Sequence, residues 1–89
     1  MKYRDKEACV MSRQISSMVR ALRKLNKKTQ PDLASEMGMC ISTYCPMELG
    51  YKEWSLYRIQ KVCQIFNITV LELFTMASRV DPVKTKHSV

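Results

Sequence analysis

Glycine and proline are scarce in this sequence, two and three of 89 residues. So few chain breakers, with 46% apolar residue types, suit a compact helical protein rather than a disordered chain. Long hydrophobic runs are missing as well: no apolar stretch approaches the roughly 18–20 residues that cross a bilayer. The opening MKYRDKEACV lacks the apolar centre of a secretory signal, so the chain is expected to work in the cytoplasm. Histidine occurs once, as His87 in a polar tail, and Cys9, Cys40, Cys45 and Cys63 contain no Cys-x-x-Cys spacing. The cysteines are therefore read as buried or half-buried thiols, with neither zinc nor disulfides expected. There is no glycine-rich phosphate loop and no grouping of nucleophile, base and orienting residue, so neither an enzyme nor a cofactor is expected.

Positive charge is absent from the middle of the chain. Residues 29–50 hold no Lys or Arg and three acids, Asp32, Glu36 and Glu48. The formal net charge is nevertheless +7, because residues 1–28 carry nine bases against two acids and residues 51–89 six against three. Any grip on a polyanion must come from the segments flanking the middle. The same charges also suit a helical domain that they merely keep soluble.

What is present is helical periodicity in a chain long enough for one domain. Met11, Ile15, Met18, Val19 and Leu22 recur at spacings of three and four, which predicts a helix over residues 12–25 with Arg13, Arg20 and Lys24 largely outside its apolar stripe. Thr29, with Asp32 three residues on and Pro31 in the first turn, starts a second helix over 30–37, which Gly38 ends. After a short turn a third helix begins near Ile41 and reaches residue 49. Helix, tight glycine turn and helix together make a helix-turn-helix. Ser55 caps a fourth helix over 56–66 with the stripe Leu56, Ile59, Val62, Cys63 and Phe66. Thr69-x-x-Glu72 boxes the start of a fifth over 70–79, with Val70, Leu73, Phe74 and Ala77 inward. The expected core is Val19, Leu22, Leu33, Ala34, Met37, Tyr44, Met47, Ile59, Val62, Phe66, Leu73 and Phe74. Residues 1–11 read as a basic arm carrying Lys2, Arg4 and Lys6, residues 12–79 as the domain, and residues 80–89 as a flexible tail.

The segments TQPDLASEMGMCISTYCPMELG and WSLYRIQKVCQIFNITVLELF, with Val19, Leu22 and Arg23 before them, resemble the Cro/C1-type helix-turn-helix family of phage repressors, bacterial regulators and antitoxins. Gln30, Leu33-Ala34, Gly38, Glu48 and Gly50 match its pattern without a gap, and the likeness spans about residues 13–76. The resemblance implies an all-α, five-helix lambda-repressor-like DNA-binding domain that places helix 3 in the major groove. It implies base readout by Ile41, Ser42 and Pro46. Phosphate contacts are implied for Gln30 and Thr43, and the family's habit of using the flanking segments adds Lys27, Lys28, Lys52 and Arg58. Arg23 and Glu48 resemble an internal ion pair of the family, structural rather than DNA-binding.

The departures fall on the reading surface. Ile41 and Pro46 stand where the family favours hydrogen-bonding side chains. Pro46 also deletes a backbone bond to residue 42, which predicts that helix 3 bends, tightens to 3₁₀ or shortens, at roughly 3 kcal/mol. Tyr44 replaces a smaller aliphatic, and its hydroxyl needs a partner if the ring is buried. Two functions remain open. One is a small DNA-binding transcriptional regulator, whether repressor, Cro-like protein or antitoxin. The other is a protein-interaction module or antirepressor that has lost specific readout. The expected partners are double-stranded DNA and a second copy of the chain, joined through Leu71, Met76 and Val80; a toxin or another regulator is a further candidate.

Overall fold

The computed structural model describes the backbone of residues 6–81 and the side chains of residues 10–81. Five helices follow one another: α1 (Lys6–Leu25), α2 (Gln30–Glu36), α3 (Ile41–Glu48), α4 (Leu56–Phe66) and α5 (Val70–Ala77). No strand occurs among the described residues. The helix starts are written locally. Thr29 and Asp32 form a reciprocal capping box, as do Thr69 and Glu72, and the Ser55 side chain accepts from the Arg58 N–H. α4 ends on Asn67 at φ 58, a residue type that tolerates the left-handed conformation.

α1 begins at Lys6, inside the segment expected to be an arm. Lys6, Glu7 and Ala8 are strong helix formers, and they extend the helix beyond the apolar stripe that marked its expected start. Residues 1–5 of that arm, and the tail from residue 82 on, lie outside the described residues. Val80, taken as the first tail residue, is half-buried, and its carbonyl accepts from Gln14 Nε2 at 3.1 Å.

α1 lies against α3 and α5, α2 against α3, and α4 against α5, around one core. Val19, Leu33, Ala34, Met37, Tyr44, Met47, Ile59, Val62 and Leu73 are buried, while Leu22, Phe66 and Phe74 pack at its edge. Ile15, Trp54, Cys63 and Ala77 are buried too. Leu56, expected in the α4 stripe, is 64% exposed. Trp54, just before the cap, is buried instead, as is Ile59 in the first turn: these are the two positions of a hydrophobic staple. Met11 likewise turns outward at the margin of its stripe.

α3 runs as α-helix through Pro46 and ends at Glu48, one residue before the expected end, with Leu49 as its cap. The proline removes the N–H that would serve the Ser42 carbonyl and sets its ring against that carbonyl. Ser42 is exposed, so water can take that acceptor and the helix need not be broken.

The turn between α2 and α3 depends on Gly38 at φ +72. A Cβ built there meets nothing within 4 Å, so conformation rather than crowding requires glycine. Gly38→Ala is expected to cost about 1–2 kcal/mol in chemical denaturation, the strain of a left-handed L-residue. A loss much beyond that would reveal crowding that the turn does not contain.

Candidate nucleic-acid interface

α3 is held by polar contacts on its inner side. Glu48 is 2% exposed, and its carboxylate accepts four hydrogen bonds. Arg23 Nε donates to Oε2 at 2.8 Å and Nη2 to Oε1 at 3.0 Å, a bidentate pair reaching from α1. The Tyr44 hydroxyl donates to Oε2 at 2.5 Å and Gln30 Nε2 to Oε1 at 2.9 Å. Arg23 Nη1 also donates to the Lys28 carbonyl at 2.9 Å, which ties in the loop before α2. Each carboxylate oxygen thus has two donors, and no fully buried side-chain nitrogen or oxygen among the described residues lacks a partner.

A second anchor joins α1 to the end of α3. Ser16 is fully buried; its Oγ donates to the Met47 carbonyl at 2.6 Å and accepts from Trp54 Nε1 at 2.9 Å. Neither residue stands out in a search for charge or motif. Ser16 does fall three residues before Val19 and seven before Arg23, along their face of α1, and Trp54 precedes a capped helix at the staple position.

Burial presses the Glu48 carboxyl toward its neutral form, but the bonds from Arg23, Tyr44 and Gln30 outweigh it and hold the group below its ordinary 4.5. The hydrogen bond to Glu48 raises Arg23 further. Burial first, and then the bond to Glu48, push the Tyr44 hydroxyl upward, so it stays a donor.

The residues singled out from sequence are placed in different ways. Ile41 and Ser42 are exposed and Pro46 is half-buried. Lys27 and Lys52 are exposed, whereas Lys28 Nζ lies 2.7 Å from Glu36 Oε2 and Arg58 Nη1 lies 3.5 Å from the Met47 sulfur. Gln30, expected at a phosphate, is half-buried and turned inward. Its Nε2 serves Glu48 and its Oε1 accepts from Cys45 Sγ at 3.4 Å, because the acceptor-only carboxylate captures the amide's donor. Thr43 is half-buried, with Oγ1 3.2 Å from Cys40 Sγ. Lys2 and Arg4 lie outside the described residues, as does the side chain of Lys6.

Cys40 caps α3 and is exposed. Its sulfur is 3.3 Å from Ser42 Oγ as well, and these two hydroxyls, Ser42 first, bring the thiol down from 9.0 to about 7. Burial moves the Cys63 thiol the other way. Cys40, Cys45 and Cys63 form no disulfide, and the described residues hold no cluster of three His, Cys, Asp or Glu able to bind a metal. Nor is any described helix long and apolar enough to cross a membrane.

The chain is similar to two crystal structures of the clp gene regulator ClgR from Corynebacterium glutamicum. The TM-scores are 0.72 and 0.71 at 20% sequence identity, with 78% of this chain covered in each and 73% and 90% of the ClgR chains. The five helices therefore share the fold of that protein, with α2 and α3 as the central helix-turn-helix pair. No family model matches the chain, and no curated protein matches it.

Two outcomes are expected from this geometry. Glu48→Gln should cost about 3–5 kcal/mol at neutral pH, because Arg23 is left uncompensated. Since folded Glu48 titrates below 4.5, its stabilisation is complete above about that pH and is lost as pH falls through the lower folded value. Thermal melts across acid pH should show a weaker pH dependence in the variant; Asp32, held low by the Thr29 N–H, supplies part of what remains. Identical acid sensitivity in both proteins would contradict the assignment. Separately, iodoacetamide should modify Cys40 well before Cys63, half-maximally near pH 7. Equal rates for the two cysteine peptides by mass spectrometry would rule that out.

Proposed function

We propose that this chain is a small DNA-binding transcriptional regulator of the Cro/C1 type, a repressor, Cro-like protein or antitoxin, with α3 entering the major groove. The observation that carries the reading is the mounting of α3. Tyr44, Met47 and Glu48 are committed inward, leaving Ile41, Ser42 and Leu49 outward in a fold like that of a gene regulator. Lys27 before the helix pair and Lys52 after it supply phosphate contacts, and Lys28 joins them by exchanging Glu36 for phosphate. Gln30 serves as a brace for α3 rather than as a phosphate contact.

A single short helix reads few base pairs, so a homodimer completes the site. Leu71, 75% exposed on α5, is its proposed centre, flanked by the half-buried Met76 and Val80. The exposed Leu56 and Tyr57 favour a second reading, a protein-interaction module built on the same fold.

Affinity is expected to come mainly from phosphates. Lys27→Ala with Lys52→Ala should weaken binding to all duplexes by similar factors and flatten the salt slope by about 1.8, near 0.9 per lost phosphate contact. Fluorescence anisotropy across a salt series measures both. Absence of binding to any duplex at low salt would remove the DNA reading and leave the interaction module.

A further inference from the structure

The outward side of α3 offers no bidentate hydrogen-bonding side chain, only the hydroxyls of exposed Ser42 and half-buried Thr43. Residues 41–49, ISTYCPMEL, contain no Arg, Lys, Asn or Gln, the side chains that make bidentate pairs with guanine or adenine. The only charged residue there, Glu48, is buried and fully bonded. The Cys45 thiol is committed to Gln30, and the Ser42 and Thr43 hydroxyls lie 3.3 and 3.2 Å from the Cys40 sulfur. Apolar surface is what remains: Ile41 is 39% exposed in the first turn, Pro46 is half-buried, and Leu49 at the far end is 45% exposed.

The major groove offers one apolar group of its own, the C5-methyl of thymine. From these residues we infer that α3 reads DNA through thymine methyl groups, with Ile41 as the main specificity-determining side chain and the lysines outside the helix pair holding the phosphates. Ile41 lies in the first turn of α3, the end of a recognition helix that approaches base edges most closely. Leu49 is about 12 Å further along the axis, a reach of three to four base steps. The charge arrangement fits this division: exposed Lys27 and Lys52 flank a segment, residues 29–50, without a single base. The ligand is thus a thymine-bearing duplex. This inference rests on the DNA-binding reading above and adds to it the chemical group that is recognised.

The test uses the full chain. Duplexes are enriched from a randomised pool by wild-type protein, and the tightest binder is resynthesised with each thymine in turn replaced by deoxyuridine. That change deletes the methyl and keeps the O4 acceptor. At one or more positions the substitution should weaken binding about fourfold, the value of one buried methyl-sized group. Ile41→Ala should lose the thymine-over-uracil preference at its position, while its salt slope stays that of wild type. Ile41 is partly exposed, so the variant should fold, which its melting curve verifies. If every deoxyuridine duplex binds as tightly as its parent, methyl reading is overturned and the DNA-binding reading stands. If Ile41→Ala binds more weakly but keeps the preference, Ile41 is not the reader. If the pool yields no duplex and none binds at low salt, both readings fall.

Discussion

Glu48 is an anion in the interior of a small domain, and it is tolerable there only because donors surround it. Those donors come from three successive elements: Arg23 from α1, Gln30 from the start of α2, and Tyr44 from α3 itself. The carboxylate therefore gathers the helix pair and the preceding helix at one point. Arg23, Tyr44 and Glu48 cannot move far without leaving a buried charge or hydroxyl unpaired. An apolar contact at the same place would tolerate sliding; a bidentate pair with two further donors fixes direction as well as distance.

The same commitments shape the outer surface. Polar side chains around α3 are spent inside: Tyr44 and Glu48 on each other, and Gln30 of α2 on Glu48 and Cys45. The outward side of α3 is left uncharged and, apart from the Ser42 hydroxyl, largely apolar, and the basic residues lie outside the helix pair. Rigid placement and a bare surface are two results of one arrangement.

Helix starts were legible because their signals are local. Thr29 with Asp32 and Thr69 with Glu72 are complete within four residues, so the starts of α2 and α5 follow from spacing alone. The start of α1 lies before the one its stripe predicts, because apolar periodicity marks where a helix is buried, not where it begins. Trp54 is buried although it stands outside every stripe, and Leu56 has the spacing of a stripe residue yet faces solvent from the first turn. Pro46 carried a propensity penalty that the exposure of Ser42 reduces. The orientation of Gln30 could not be read from the chain, because it depends on acceptors and donors that only the folded α3 brings within reach.

Trp54 is the only tryptophan in the chain, and its indole N–H ends on the serine oxygen that also holds the Met47 carbonyl. The domain consequently contains an optical gauge of its own. Indole emission responds to the polarity and hydrogen bonding around the ring, so displacement of the last turn of α3 relative to α1 registers as a change in colour or yield. No label has to be attached to the outer surface of α3.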